Sequence, residues 1–283
     1  MGSIWKNIIR NWQVQPPALA AIAGLAIAAV PAHAADTPPH IEGFWQAVVE
    51  GTYSLTEPSR GGIGLQDALG IPRKHNASRI VDPADGQIPY QPWAREKQRY
   101  IEAHINEPTK PEFIDPQARC LPDGPVRATF WSAFQILQFP QYVVIEYESN
   151  HPYRIIPLDG RPHLGQNIKL WMGDSRGHWE GNTLVVDVSN NNSKSRLSNV
   201  GDFASDKLHI VERYTFSDAN HMKYEAVLDD PAVYTRPWKI AADMVRKHVK
   251  DPGYEQWEEA CHEGERNVAD SLNTAAKQES SEK

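Results

Sequence analysis

The feature that most constrains the fold is a run of short segments, between residues 141 and 240, in which polar and apolar residues alternate. Alternation with a period of two is typical of strands that bury one face. The predicted strands are 141–148, 153–158, 167–172, 178–180, 183–189, 208–216, 221–228 and 234–240. Because short turns join them, we expect neighbouring strands to pair antiparallel. Residues 141–250 are therefore predicted to form a mainly β core, either an antiparallel up-and-down (lipocalin-like) barrel or a barrel-like sandwich.

The chain on either side of this core is predicted to be less regular. Residues 35–140 are expected to form a first strand at 41–51, an irregular proline-rich N-terminal arm and a helix at 92–107. The helix is predicted to bury a face made of Ala94, Gln98, Ile101 and Ile105. Residues 251–283 are predicted to form a C-terminal helix and a polar tail, with Tyr254, Trp257 and Cys261 on one face of the helix.

Residues 1–34 have the organisation of a secretory signal peptide. Lys6 and Arg10 give a positive start, an apolar run follows at 18–30, and Ala32-His33-Ala34 fits a small-residue cleavage site. The apolar run is short for a membrane span. We therefore predict cleavage after Ala34, a periplasmic or secreted mature protein, and no membrane span after cleavage. A retained anchor is the alternative.

Export bears on the two cysteines, Cys120 and Cys261. In an oxidising compartment an even number of cysteines favours a disulfide. A Cys120–Cys261 bridge would close a long loop, which on the chain-entropy model stabilises a fold by about 4–5 kcal/mol. A cysteine-based active site is the alternative interpretation.

Charge and motif spacing limit the classes of partner. The net charge of −7 is spread without a basic block, so we expect no nucleic-acid partner. The histidines form no tight metal-binding pair, and we predict no metal and no cofactor. A small molecule is the expected partner, and the sequence does not indicate an oligomeric state.

One pattern matches a catalytic motif. Residues 173–177 read G-D-S-R-G, the G-x-S-x-G of serine hydrolases, which would make Ser175 a nucleophile. That motif needs a helix after the serine, and here another strand follows. The favoured interpretation is a hairpin turn in which Asp174 and Ser175 bond their own backbone.

Acidic residues on predicted core-facing registers form the second set of candidates. Glu212 falls among apolar residues of its strand, and Glu146 shares a face with Tyr142. A buried carboxylate has a raised pKa unless it is paired, which suits acid–base catalysis. Arg154 and Arg213 are the candidate partners of Glu212, and the alternative is a buried Arg–Glu pair that closes the barrel.

Histidines and aromatic residues complete the candidates. Any of His151, His163, His178 and His209 could act as an acid or base at neutral pH, although a surface histidine is the commoner outcome. Tryptophans at 131, 171, 179 and 238 could line a cavity for an apolar or aromatic ligand, or could be core. The predicted catalytic residues are Glu212, His209, His163 and Arg154, and the predicted binding residues are Arg213, Trp171, Trp179, Glu146 and Asp174.

Five sequence blocks carry a resemblance. They read D-P-Q-A-R-C-L-P-D-G-P at 115–125, R-I-I-P-L-D-G-R-P-H at 154–163, W-M-G-D-S-R-G-H-W-E-G-N-T-L-V-V-D at 171–187, L-H-I-V-E-R-Y at 208–214 and A-C-H-E-G at 260–264. Together they resemble a large family of exported, uncharacterised bacterial proteins. The resemblance implies a Gram-negative, periplasmic setting and no particular activity. The G-F-W at 43–45, with the run of strands, resembles the start of calycin or lipocalin-like barrels.

These observations leave three functions open. The first is a periplasmic protein that binds a small apolar or aromatic molecule in a β-barrel cavity. The second is a cofactor-independent lyase, dehydratase or isomerase, in which Glu212 or a histidine is the base and Arg154 or Arg213 holds an anionic group. The third is a serine hydrolase acting through Ser175.

Overall fold

The computed structural model describes residues 38–48, 54–56, 78–251, 253–257 and 272. Within them the strands are β1 (Gly43–Ala47), β2 (Ile80–Asp82), β3 (Phe134–Gln138), β4 (Tyr142–Tyr147), β5 (Tyr153–Pro157), β6 (Asp174–Glu180), β7 (Thr183–Ser189), β8 (His209–Phe216), β9 (His221–Asp229) and β10 (Trp238–Lys247). The α-helices are α1 (Pro92–Glu102) and α2 (Pro125–Trp131), with 3₁₀ turns at Pro111–Phe113 and Gln117–Arg119. None of the helices in these ranges is long and apolar enough to cross a membrane. The predicted signal peptide and Cys261 lie outside the described residues.

The strands form one antiparallel sheet that almost closes on itself. Its order is β5-β4-β3-β1-β10-β9-β8-β7-β6, and β2 pairs with β10 beside this path. The two end strands, β5 and β6, meet through side chains, since Arg154 of β5 donates a hydrogen bond to Ser175 of β6 at 2.9 Å. The predicted mainly β, antiparallel barrel-like fold is confirmed.

The barrel interior is filled with large side chains. Trp45 of β1 and Trp238 at the start of β10 are both fully buried. The indole N–H of Trp45 donates to the carbonyl of Ile41 at 2.9 Å, and its ring packs edge-on against Phe216. Tryptophan burial of this kind removes a large apolar area from water. The predicted first strand at the G-F-W sequence is present, although it ends at Ala47.

The predicted turn at residues 173–177 is wrong. Residues 174–180 form the continuous strand β6, and the hairpin lies at Gly181-Asn182, where Gly181 has a φ of +58°. Gly177 is needed for close packing, because a Cβ at this position would lie 2.7 Å from Cγ2 of Ile156 in β5. The glycine therefore marks the approach of the two end strands of the sheet.

Two other strand predictions are wrong in position or orientation. Residues 167–172 form irregular chain with an isolated bridge at Leu170, and their apolar side chains at 168 and 170 are largely exposed. In β4 the buried face consists of Val143, Ile145 and Tyr147, so Glu146 faces solvent and its predicted core-facing register is wrong. Both faces of β4 carry apolar residues, which made the alternation ambiguous.

Several elements were not predicted. Helix α2 and strand β3 lie where polar and apolar residues mix without a clear period, and β2 is only three residues long. Strand β10 begins at Trp238 and runs to Lys247, beyond the predicted end at 240. Helix α1 starts at Pro92 as predicted and ends at Glu102, with Ala94, Gln98 and Ile101 buried.

The predicted C-terminal helix does not include residues 254–257, which are irregular. Here Tyr254 packs edge-on against Phe44 of β1, and the side-chain amide of Gln256 donates to the carbonyl of Glu146 at 3.0 Å. Contacts with the sheet therefore replace helical bonds in this segment. Cys261 is outside the described residues, so the Cys120–Cys261 disulfide stays a prediction.

Candidate functional site

The side chains of Arg154 and Glu212 form an ion pair inside the barrel. Arg154 Nη1 donates to Glu212 Oε1 at 3.1 Å and Nη2 donates to Oε2 at 2.5 Å. The hydroxyls of Tyr214 and Tyr224 also donate to Oε1, at 3.2 and 2.8 Å. Glu212 is fully buried and Arg154 is almost so. The predicted alternative, a buried pair across the barrel, describes this arrangement.

The electrostatics of this cluster favour the charged form of Arg154. Burial acts to lower the pKa of Arg154, but Glu212, through its charge and hydrogen bond, together with Tyr147 and Tyr214 outweighs burial and holds the pKa well above its usual value. Burial, together with the charge of Glu212, raises the pKa values of Tyr214 and Tyr224 well above the usual range. The carboxylate is bonded through both oxygens and has no contact with solvent, so this geometry gives no support to an acid–base role for Glu212.

Ser175 belongs to the same cluster. Its Oγ accepts hydrogen bonds from Arg154 Nη2 and Nε, at 2.9 and 3.3 Å. Within the described part of the chain, these are the only hydrogen bonds of this hydroxyl, and no histidine is among its partners. Arg213, the other predicted partner of Glu212, points to the opposite side of β8 and pairs with Glu180 at 2.8 Å. The buried cluster therefore contains Arg154 and Ser175 but not Arg213.

The predicted histidines His163 and His209 meet at the outer surface. Asp187 of β7 bridges them, with Oδ1 2.7 Å from His163 Nε2 and Oδ2 2.7 Å from His209 Nε2. The other ring nitrogen of His163 lies 2.9 Å from Asp174 Oδ2, and Arg176 donates to Asp174 Oδ1 at 2.6 Å. The sequence singled out both histidines and Asp174 but missed Asp187, the residue that joins them.

This surface network stabilises the negative form of Asp174. Burial acts to raise its pKa, but the backbone N–H of Leu164 and the side chains of His163 and Arg176 outweigh burial and hold the pKa below its usual value. Among the described residues, no group of three histidine, cysteine or acidic side chains is placed to hold a metal ion. Both nitrogens of His163 are occupied by carboxylates, so the network ties the loop at 163–164 to β6 and β7.

The remaining predicted residues are dispersed. Glu146 and His151 line a groove of about 230 Å³ beside Trp257, and His178 is exposed beside Glu180. Trp179 is half-buried against Phe216, and Trp238 is core. The guanidinium of Arg127 covers the ring of Trp131 at 4.9 Å. Four described tryptophans were predicted either to line a ligand cavity or to be core, namely Trp131, Trp171, Trp179 and Trp238. Of these four, only Trp171 lines a large concave surface.

That surface is a cleft of about 850 Å³ outside the barrel. It lies between helix α1, residues 112–121 and the loop 193–206. Its aromatic lining consists of Trp93, Tyr100, Trp171 and Phe203. Trp93 and Tyr100 are about half exposed, as residues of an open wall would be. We refer to this surface as the aromatic cleft.

Charged side chains of the aromatic cleft are mostly basic. The lining includes the cations Lys97, Arg119, Lys194 and Arg196 and the acids Glu112 and Asp206. Glu112 lies 3.9 Å from Lys110 and Asp206 lies 3.6 Å from Lys169, so each acid already has a lysine partner outside the lining. None of the four basic side chains forms a salt bridge with another described residue. Arg196 interacts electrostatically with Asp115, whereas Lys97, Arg119 and Lys194 have no ion-pair partner among the described residues. We refer to the four basic side chains together as the basic wall.

Beneath this wall lies a packed group of arginines. Arg127 is fully buried and is held by Asp115, with Nη1–oxygen distances of 3.0 and 3.1 Å. Arg196, 7% exposed, donates through Nη2 to the carbonyl of Glu112. Burial lowers the pKa of Arg196, Asp115 opposes this, and the charges of Arg119 and Arg127 add to the lowering.

The residues of the aromatic cleft come from distant segments of the chain, so that only Trp171 among them is predicted from the sequence. One local signal was available. Trp93, Lys97 and Tyr100 follow the spacing i, i+4 and i+7 in α1, on the flank next to its buried face, about 100° around the helix axis. Exposed aromatic residues at helical spacing indicate a surface that is used for contact. No protein-family model, curated protein or solved structure matches this chain.

Proposed function

We propose that the protein is an exported small-molecule binding protein whose aromatic or apolar ligand occupies the aromatic cleft. The observation that carries the proposal is the concave lining of four aromatic side chains around about 850 Å³. Small-molecule sites are typically concave, largely apolar and about 300–1,000 Å³ in volume. A planar ligand stacked on such rings gains both area burial and favourable ring geometry.

Packing of the barrel favours this position over the barrel interior. The interior positions of Trp45, Tyr147, Tyr214 and Trp238 are all at most 2% exposed, and the Arg154–Glu212 pair occupies the space between strands. A ligand inside the barrel would have to displace these side chains. The aromatic cleft is open to solvent without any such rearrangement.

The arrangement also favours binding over catalysis. Glu212 and Ser175 are buried and bonded to Arg154, and neither lines the aromatic cleft. The two histidines of the surface network are likewise absent from its lining. The proposal therefore places ligand recognition, without acid–base chemistry, at the cleft.

A pair of tryptophan variants tests the location. Trp93 in the aromatic cleft is 50% exposed, and Trp257, outside it, is 72% exposed, so Trp93→Ala and Trp257→Ala remove similar exposed rings. We expect binding of 2-naphthoate, measured by calorimetric titration, to weaken at least tenfold in Trp93→Ala and to be unchanged in Trp257→Ala. Equal affinity in both variants, or no binding by the unmodified protein to either 2-naphthoate or 2-naphthamide, would contradict the proposal.

A further inference from the structure

We infer that the ligand of the aromatic cleft carries an anionic group next to its aromatic or apolar body. This inference rests on the proposed function and specifies the class of ligand. The lining has four cationic and two acidic side chains, a net of two positive charges, in a chain whose net charge is −7. An acidic protein that concentrates cations in one concave surface raises the local concentration of anions there.

The pairing of these side chains sharpens the inference. Both acids of the lining are engaged by lysines that lie outside it, at 3.9 Å for Glu112 and 3.6 Å for Asp206. Lys97 and Lys194 are exposed and form no salt bridge within the described residues. Here the pairing pattern leaves the cations facing the cleft available.

The arginines at the base of the wall provide directional donors. Among the described residues, Nη1 of Arg196 and Nε of Arg119 are buried nitrogens without a hydrogen-bond partner. A buried donor that is left without a partner costs roughly 1–3 kcal/mol. Arg196 also sits beside two other guanidinium groups, Arg119 and Arg127. A carboxylate or phosphate group that entered between these guanidinium groups would accept the unmade hydrogen bonds. It would also reduce the electrostatic repulsion among the three arginines.

Aromatic and cationic groups are adjacent, which places both features on a single ligand. Lys97 Nζ lies 4.5 Å from the ring centroid of Phe203, and the ring of Trp93 is 6.0 Å from the same ring. A small aromatic acid could therefore stack on the rings while its anionic group reaches the basic wall. Carboxylates and phosphate esters share this chemistry, and the experiment separates them.

The test compares probes of one shape and different charge. Calorimetric titrations of the full-length protein would use 2-naphthoate, 2-naphthyl phosphate and the neutral 2-naphthamide. We expect at least one anionic probe to bind about tenfold or more tightly than the amide, and its affinity to fall severalfold between about 50 and 500 mM salt. Whichever anionic probe binds more tightly relative to 2-naphthamide shows whether the anionic group of the ligand is a carboxylate or a phosphate ester.

Variants of the basic wall test whether these side chains are the source of the preference for an anion. Arg119→Gln and Lys97→Gln are expected to remove most of the preference for the anionic probe, measured as the ratio of its affinity to that for 2-naphthamide in the same variant. Arg236→Gln, an exposed arginine paired with Asp82 outside the cleft, is the matched control and should retain the preference. Circular dichroism and thermal melting check that each variant is folded.

The negative results separate failure of the anion inference from failure of the proposed binding function. If 2-naphthamide and the anionic probes bind equally and Trp93→Ala weakens all of them, the anion inference is overturned and the proposed binding function stands. If the anionic preference persists in both Arg119→Gln and Lys97→Gln, the basic wall is not its source and the inference is also overturned. If no probe binds, both the inference and the proposed function fail.

Discussion

At the scale of single residues, Glu212 shows most clearly what the sequence predicts and what it leaves open. The sequence placed Glu212 on a core-facing register and offered two interpretations, a catalytic acid or an Arg–Glu pair. The side chains show the pair, because Arg154 reaches Glu212 from the far end of the sheet. Sequence pattern could identify the buried carboxylate, but it could not choose between Arg154 and Arg213. That choice depends on which strands become neighbours when the barrel closes.

Loss of one partner from this pair should be costly. Arg154→Met is expected to lower the free energy of unfolding by about 3–5 kcal/mol, because it leaves a buried carboxylate without its cation. The double variant Arg154→Met with Glu212→Gln should be less destabilised than Arg154→Met alone. Urea denaturation measures both. The control is Arg213→Met, which removes the exposed ion pair between Arg213, next to Glu212 on β8, and Glu180. It should change the free energy of unfolding much less. Equal losses in Arg154→Met and Arg213→Met would show that the buried pair has no special role.

The pKa of Asp174 predicts a dependence of stability on pH. Its pKa is lower in the folded chain than in the unfolded chain, so its charged form stabilises the fold above the usual aspartate pKa, about 4. This contribution is lost as the pH falls through the folded-state value. We expect Asp174→Asn to be less stable than the unmodified protein at pH 7 and the difference to shrink towards pH 3, as measured by urea denaturation. Asp243→Asn, at an exposed position of β10, serves as the control. A difference that is constant across this range would contradict the interpretation.

At the scale of elements, alternation predicted the strands from β7 to β9 closely and failed where it was ambiguous. Residues 183–189 form β7 as predicted, since one face of the segment is clearly apolar. The glycines at 173–177 suggested a turn because glycine is common in turns, yet Gly177 lies within β6. Its role depends on the strand that packs against it, which cannot be read from the local sequence. The same reasoning explains the missed β3, whose apolar neighbours hide the period.

Closure of the sheet between β5 and β6 can be tested at Gly177. A methyl group there would come within 2.7 Å of Ile156 and 2.9 Å of Leu158. We expect Gly177→Ala to lower the free energy of unfolding by about 1–3 kcal/mol, the usual cost of overpacking. Gly181→Asn, in the adjoining hairpin where a Cβ meets no atom within 4 Å, should be nearly neutral because asparagine tolerates a positive φ. Comparable stability of the two variants would argue against close packing of the end strands.

At the scale of the whole molecule, the candidate site depends on long-range assembly. The aromatic cleft brings α1 and the neighbouring residues 112–121 together with the loop 193–206, which is distant from both in sequence. Composition indicated an aromatic-rich chain but could not say which tryptophans share a surface. The sequence therefore predicted the β architecture, and its expectation of a small apolar or aromatic ligand stays a prediction. It did not predict the position of the cleft or its basic wall.

Export and the disulfide also concern the whole chain. We propose cleavage after Ala34 and a bridge between Cys120 and Cys261. Intact-mass analysis of the protein from the periplasmic fraction should give a chain that begins at Ala35 and takes up no thiol reagent until it is reduced. Cys120→Ser should lower the melting temperature by about as much as reduction does. Two reactive thiols in the untreated protein, or an intact N-terminus, would refute the respective part of this prediction.

The location of the ligand is the central claim, and hydrogen–deuterium exchange of the full-length protein with and without 2-naphthoate tests it most directly. We predict that bound ligand protects amides in α1, residues 112–121 and the loop 193–206, while the barrel strands exchange at the same rate as before. Protection concentrated in β4, β8 and β9, with none in the segments around the aromatic cleft, would place the ligand inside the barrel and contradict the account.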